Sequence, residues 1–257
     1  MFLIRLLKLL RSSPYNFFRY IISRFTGVSF KIKYKGSLLK YNFDKSTLYH
    51  LVESFPKIEK QIELLPNEID GVIIDGGANN GVFSFHFSKK YQNDIYAFEP
   101  SSKLGAIIEQ NLKGGNVFLE AKAIGSETGE ISFYNDPLSD QTGSTIEEYV
   151  TLFASSNQRI EKTIVSSITL KDFKESKGID KIGLLKLDIQ GKEYDVLNSN
   201  PELLENIDIL MIEVFLKEDS AFKLIDLIRK YYPNYVVTNQ IAFGADFIFY
   251  KDGIKLR

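Results

Sequence analysis

Cysteine is absent from the 257 residues. That excludes disulfides, thiolate metal ligands and a cysteine nucleophile, and it fits a reducing compartment such as the cytoplasm. Histidine is scarce. Only His50 and His86 occur, which excludes a multi-histidine metal site. No internal repeat or low-complexity tract is present. Acid is missing from residues 1–40, which carry nine Lys or Arg; the remainder holds 23 basic and 33 acidic residues, a balance of −10. A run long enough to span a bilayer is lacking as well. In "MFLIRLLKLLRSSPYNFFRYIISRF" Arg5, Lys8 and Arg11 interrupt the apolar stretches. The same charges, with no small-residue cleavage pattern after them, argue against a secretory signal.

What is there reads as an ordinary globular chain, 44% hydrophobic and 25% charged, with 20 Phe and 14 Tyr to fill a core. Residues 1–25 have the pattern of a basic amphipathic helix. Two readings stand for it: peripheral contact with an anionic membrane, which puts the protein at the inner face, or a helix that covers the core or a dimer partner. Residues 1–66 form this arm with accessory elements, and 67–257 the main domain. Residues 28–43 alternate like a hairpin. Residues 46–65 have helical spacing with a break near Pro56, and Pro66 and Asn67 mark a boundary.

From residue 71 apolar runs alternate with helical stretches. Strands are expected at 72–75, 95–99, 117–121, 183–188, 209–214, 235–238 and 247–250, and helices at 81–91, 101–112, 192–198 and 219–230. Continuous apolar strands separated by helices imply a parallel sheet covered on both faces. The last two strands are too close for a helical crossover and must form an antiparallel hairpin.

In such a sheet ligands sit at the carboxyl ends of the strands. "VIIDGGANNGVFSFHF" (72–87) is a strand ending on Asp75, then a Gly-rich turn, then a helix start, where the backbone can approach a ligand closely. "IYAFEP" (95–100) ends on Glu99, placed to accept the hydroxyls of a ribose. The ligand is then a nicotinamide dinucleotide or S-adenosylmethionine. Asp75 would repel a pyrophosphate but suits an amino group and a sulfonium, and the terminal hairpin also favours the methyl donor. "LLKLDIQGKEYDVL" (184–197) and "ILMIEVF" (209–215) bring Lys186, Asp188, Glu193 and Glu213 to the same edge, where like charges raise one another's pKa and support proton transfer. Asp188 and Glu213 are suitable oxygen ligands, but no third partner stands with them and no metal is expected. His86, among Phe83, Phe85 and Phe87, reads as a core residue.

"IIDGGANNGVFS", "AFEPSSKL", "NVFLEAKAIGSETGEISF", "SSITLKDF" and "LLKLDIQGKEYDVL…IEVF" together resemble the FkbM-type methyltransferases, a branch of the class I S-adenosylmethionine-dependent enzymes, over about residues 70–215. The resemblance implies a Rossmann-like seven-stranded α/β methyltransferase sheet. It implies that Asp75, Gly77, Ala78, Asn79 and Gly81 line the methionine end of the donor, that Glu99 holds the ribose, that Pro100 shapes the adenine side, and that Ala123 and Ile124 flank the adenine. Asp188 would lie near the transferred methyl. Gln190 stands where the family commonly has Glu in Asp-x-Glu-Gly-x-Glu, which removes one carboxylate.

A hydroxyl acceptor must lose its proton on attack; Asp188 is the first candidate to take it and Glu193 the next. Residues 136–149 read as a polar loop that selects the acceptor, with Ser144 and Thr145 as donors to it and Glu213 nearby. The expected activity is O-methylation of a hydroxylated acceptor, a sugar or glycan, lipid-linked if the arm meets a membrane. The alternatives are an NAD(P)-dependent oxidoreductase, against which no Tyr-x-x-x-Lys pair occurs, and a non-catalytic glycan-binding module. A nucleic-acid substrate is not expected, since the catalytic half is acidic.

Overall fold

The structure, a computed structural model of the chain, describes residues 1–26, 31–41, 47–136, 139–153, 160–215, 219–241 and 244–257. Two short helices, α1 (Phe2–Ser12) and α2 (Pro14–Thr26), precede a hairpin of β1 (Lys31–Tyr34) and β2 (Ser37–Lys40). The outer parts of the expected 28–43 hairpin lie outside the described residues. A helical run follows: α3 (Thr47–Tyr49), one π-helical turn (His50–Ser54) and α4 (Phe55–Leu64). The break expected near Pro56 is this turn. Pro56 itself sits in the first turn of α4, where its missing N–H costs nothing.

The main sheet begins with β3 (Val72–Gly76), α5 (Val82–Lys90), β4 (Ile95–Phe98), α6 (Ser102–Leu112) and β5 (Val117–Glu120). A second, four-stranded sheet is inserted next: β6 (Ala123–Ile124), β7 (Gly129–Asp136), β8 (Ser139–Ser144), then α7 (Glu147–Phe153) and β9 (Glu161–Ile168), in the order β6-β9-β7-β8. Of the polar loop expected over 136–149, residues 137 and 138 lie outside the described residues, and 139–149 are a strand and a helix start. Pairing with β7 (Tyr134 opposite Ser144, Asp136 opposite Ser139) makes this strand, and its side chains carry no alternating apolar signal. The chain returns through α8 (Leu170–Lys177), β10 (Ile182–Leu187), α9 (Glu193–Ser199), β11 (Ile207–Phe215), α10 (Asp219–Arg229), β12 (Asn234–Ile241) and β13 (Gly244–Tyr250).

The seven main strands lie in the order β12-β13-β11-β10-β3-β4-β5. Only β13 runs against its neighbours, inserted between β11 and β12. Both faces of the central strands are buried, because β3, β10 and β11 carry apolar residues on both sides. Ile74, Leu185, Leu187, Leu210 and Ile212 join the cluster under α8, α9 and α10, and Ile73, Leu184, Ile209, Met211 and Ile248 join the cluster under α4 and α5. The strand order reverses between β3 and β10, with Asp75 opposite Lys186 and Gly76 opposite Leu187. A crevice opens at the carboxyl ends there, the usual ligand position of an open α/β sheet.

Candidate active site

The turn after β3 is tied to the end of β4. Gly77 and Ala78 N–H donate to Phe98 O at 3.1 and 2.9 Å, and Asn79 N–H donates to Glu99 Oε2 at 2.8 Å. Gly77 has φ +72°, and a Cβ on it would lie 2.0 Å from Asp188 O, so the turn from β3 and the one from β10 touch only because this residue is glycine. Asn79 also adopts positive φ, +55°, a conformation Asn tolerates better than most residues. Gly81 caps α5, with φ +76°.

Beneath the turn lies a buried ion pair. Asp75 is fully buried, accepts from Ser84 Oγ at 2.7 Å, and has the Lys186 ammonium 3.2 Å from Oδ1. Lys186 Nζ donates to Gly76 O and Gly77 O at 3.3 and 2.9 Å and lies 3.8 Å from Asp188 Oδ2. Burial works to strip its proton, but Asp75 and Asp188 outweigh that and raise its pKa. Asp75, expected at the methionine end of the donor, has Lys186 as the cation it faces.

One cavity of about 260 Å³ opens above these groups. Of the residues singled out in the sequence, Gly77, Ala78, Asn79, Glu99, Pro100, Ala123, Ile124, Thr145, Asp188 and Glu213 lie on its wall. Asp75, Gly81, Ser144 and Glu193 do not. Gly81 packs its backbone toward Ile108. Ser144 is buried and donates to Gln190 O at 2.9 Å, while its oxygen accepts from Ile146 N–H. Glu193, the second candidate proton acceptor, is turned into its own loop, where Ile189 and Gly191 N–H donate to its two oxygens at 2.9 and 3.0 Å. It braces the turn that carries Asp188.

Glu99 is 5% exposed. Asn79 and Ser101 N–H each donate to one of its oxygens at 2.8 Å. Burial pushes its pKa up to about 7, against the pull of those two amides and of Lys186. Asp188 holds Oδ1 against Gln190 Nε2 at 2.9 Å. Gln190, at φ +64°, thus supplies a donor where the resembled family has a carboxylate. Glu213 is pushed up to about 9, first by burial and then by Asp188 and Asp246, so it carries a proton at neutral pH.

The sequence reading missed the opposite wall. His50, Ser54, Phe55, Lys57, Ile58 and Gln61 reach the cavity from the π turn and α4, joined by Asp246 and Phe247 of β13. Lys57 Nζ lies 2.7 Å from Asp246 Oδ2, and Gln61 Nε2 donates to the same oxygen at 3.2 Å and to Thr238 Oγ1 at 2.8 Å. No local pattern marks these residues, because the helix that carries them is amphipathic for packing alone. His86 is a core residue: its Nε2 shares a 2.6 Å hydrogen bond with Tyr34 hydroxyl, and burial lowers it to about 4.

Residues 75–236 match the family model described as "Methyltransferase FkbM domain". Among curated proteins the chain is similar to "Methyltransferase 1" of Beauveria bassiana, 27% identical over 175 residues, covering 61% of this chain and 70% of that one. It is similar to "2-O-methyltransferase NoeI" of Sinorhizobium fredii, 27% identical over 166 residues, covering 61% and 68%. Among solved structures it is similar to the fibrillarin of Aeropyrum pernix in complex with S-adenosyl-L-methionine, with TM-score 0.46, 10% identity and coverage of 86% and 82%. That last likeness is too slight to carry an argument, and the fold rests on the strand order above. The family match sets aside the oxidoreductase and binding-module alternatives.

Proposed function

The chain belongs to the FkbM methyltransferase family and is an S-adenosylmethionine-dependent methyltransferase, and from that premise we propose that it methylates a hydroxyl of a sugar-type acceptor. The residues fit the donor. A carboxylate at the end of β4 suits two ribose hydroxyls, Pro100, Ala123 and Ile124 offer an apolar slot for a flat base, and Asn79 offers polar groups for the amino-acid end. The donor brings a methyl group on a positively charged sulfur, already activated for displacement. The protein's part is to align the attacking oxygen and exclude water.

The observation that carries the reading is the position of Asp188. One of its oxygens is held by Gln190, and the residue shares the cavity wall with the donor turn and with Glu213, Lys57 and Gln61. On this reading the other oxygen accepts the hydroxyl proton, and Glu213, protonated at neutral pH, donates a hydrogen bond to the acceptor. Lys57, Gln61, Asp246 and Thr145 supply polar contacts, and Phe55 and Phe247 flat apolar faces, a mixture suited to a sugar ring. The 2-O-methyltransferase among the relatives supports the same acceptor class.

The test is transfer of label from methyl-labelled S-adenosylmethionine to a panel of mono- and oligosaccharides. Label in an alkali-stable methyl ether, lost in Asp188→Asn while donor affinity is kept, is the expected result. Label in an ester or on nitrogen, or an Asp188→Asn variant with undiminished turnover, overturns the reading.

A further inference from the structure

Helices α1 and α2 are held to the body on one side only. Leu9 and Tyr20 are buried in the cluster formed with the β1–β2 hairpin, α3 and α4, and Phe17 and Ile21 pack against it. The opposite side is apolar and exposed. Phe18, Ile22 and Phe25, four and then three residues apart, form one stripe on α2 and are 60, 43 and 83% exposed. Leu3, Ile4 and Leu7 are 65, 61 and 49% exposed on α1. Since both helices bury their inner sides in the same cluster, both stripes face away from the protein. Exposed apolar surface of this extent marks an interaction site.

The charge that residues 1–40 carry is of one sign. Arg11 and Arg24 are exposed on the two helices, Lys31 and Lys33 are exposed on β1, and residues 1–40 contain no acid. A second copy of the chain docked on this face would bring the same positive field against itself, which is costly. An anionic lipid surface complements both features: headgroups meet the arginines and lysines, and acyl chains meet Phe18, Phe25 and Leu7. The helices have 11 and 13 residues, long enough to lie in an interface and too short to cross one.

We propose that the outer face of α1 and α2 docks the protein on an anionic membrane surface. Docking there has a consequence for the cavity. Arg5 and Lys8 of α1 lie 3.6 and 3.4 Å from Glu53 of the π turn, and His50 and Ser54 of that turn line the cavity. One helix therefore separates the lipid from the wall assigned to the acceptor. The docking itself stands apart from the proposed reaction and is measured without donor or acceptor.

Deleting residues 1–25 would remove Leu9 and Tyr20 from the core, so the test uses exposed positions. The full chain is floated with vesicles of phosphatidylcholine alone and with added phosphatidylglycerol. Flotation with the anionic vesicles only is expected. Arg11→Glu with Arg24→Glu should cut partition by at least about 25-fold, about fivefold for each arginine lost. Phe18→Ser with Phe25→Ser should cut it too, with thermal midpoint and S-adenosylmethionine affinity unchanged. Equal flotation with both vesicle types, or variants that float like the wild type, overturns the proposal. So does a wild-type dimer in sedimentation velocity that the phenylalanine substitutions dissociate, because a second copy would then cover the face.

Discussion

Replacing Glu99 by Gln tests the donor site most directly. Each oxygen of Glu99 accepts one backbone N–H at 2.8 Å, from Asn79 and from Ser101. A glutamine amide can satisfy one of them and must present its own NH₂ to the other, which leaves a buried donor unpaired at a cost of about 1–3 kcal/mol. The donor's ribose hydroxyls would also lose a charged acceptor, worth about 1.5–3 kcal/mol per bond. A loss of about 3 kcal/mol, more than 100-fold in Kd, is expected by calorimetry. The pH dependence gives a second readout. With Glu99 pushed up to about 7, a site that needs the carboxylate must release a proton on binding. Affinity should therefore fall as pH drops below 7, by about tenfold per unit. His50 lines the same cavity, and Glu99→Gln keeps it, so a slope that belongs to Glu99 should vanish in that variant. Wild-type affinity that is flat from pH 5.5 to 7, or a glutamine variant that binds as tightly as the wild type, would refute the assignment of Glu99 to the ribose.

The buried Asp75–Lys186 pair should behave as a unit: Asp75→Asn or Lys186→Met alone should cost about 3–5 kcal/mol in urea unfolding, and the double variant should recover much of it; losses below about 1 kcal/mol would show the pair to be dispensable. Gly77→Ala should destabilise by more than the roughly 1–3 kcal/mol of a strained backbone, because the new Cβ also meets Asp188 O; a variant with unchanged stability and donor affinity would refute the close approach. Glu99 and Glu193 are pushed up to about 7 and Glu213 to about 9, first by burial. Between pH 6.5 and 8 the folded protein thus binds more protons than the unfolded chain, and the stability of the donor-free protein should fall across that window; Lys90, lowered to about 8 by burial, opposes this at its upper end. Below that window His86, lowered to about 4 by burial, acts in the opposite direction, so a thermal midpoint that rises across the window contradicts these assignments.

The parts of the site that were legible in the sequence are local. The turn at 76–81 is readable because glycine spacing and the step from an apolar run to a helical pattern all lie within about ten residues. Glu99 is readable because it ends the next strand of the same unit. Carboxylates at strand ends do not all meet the cavity. Asp75 ends a strand but faces Lys186, 111 positions away, and Glu193 follows Asp188 closely but is taken up by the amides of Ile189 and Gly191. Which acid meets the cavity depends on which donors the neighbouring backbone offers, and spacing does not carry that information.

The sequence by itself determined the parallel sheet, the reversed strand near the end, the Gly-rich turn and the family, because each is written in contiguous residues whose periodicity or motif needs no distant partner. Tertiary structure alone decided the rest. It made strands of the segments at Gly129–Asp136 and Ser139–Ser144 through their backbone pairing. It inserted β13 between β11 and β12. It brought His50, Lys57 and Gln61 over a site whose Asp188 lies more than 120 residues downstream. It also left residues 1–25 two-sided, one side of each helix closing the core and the other outward, because an amphipathic pattern states that a helix has two faces and only packing states which of them is covered.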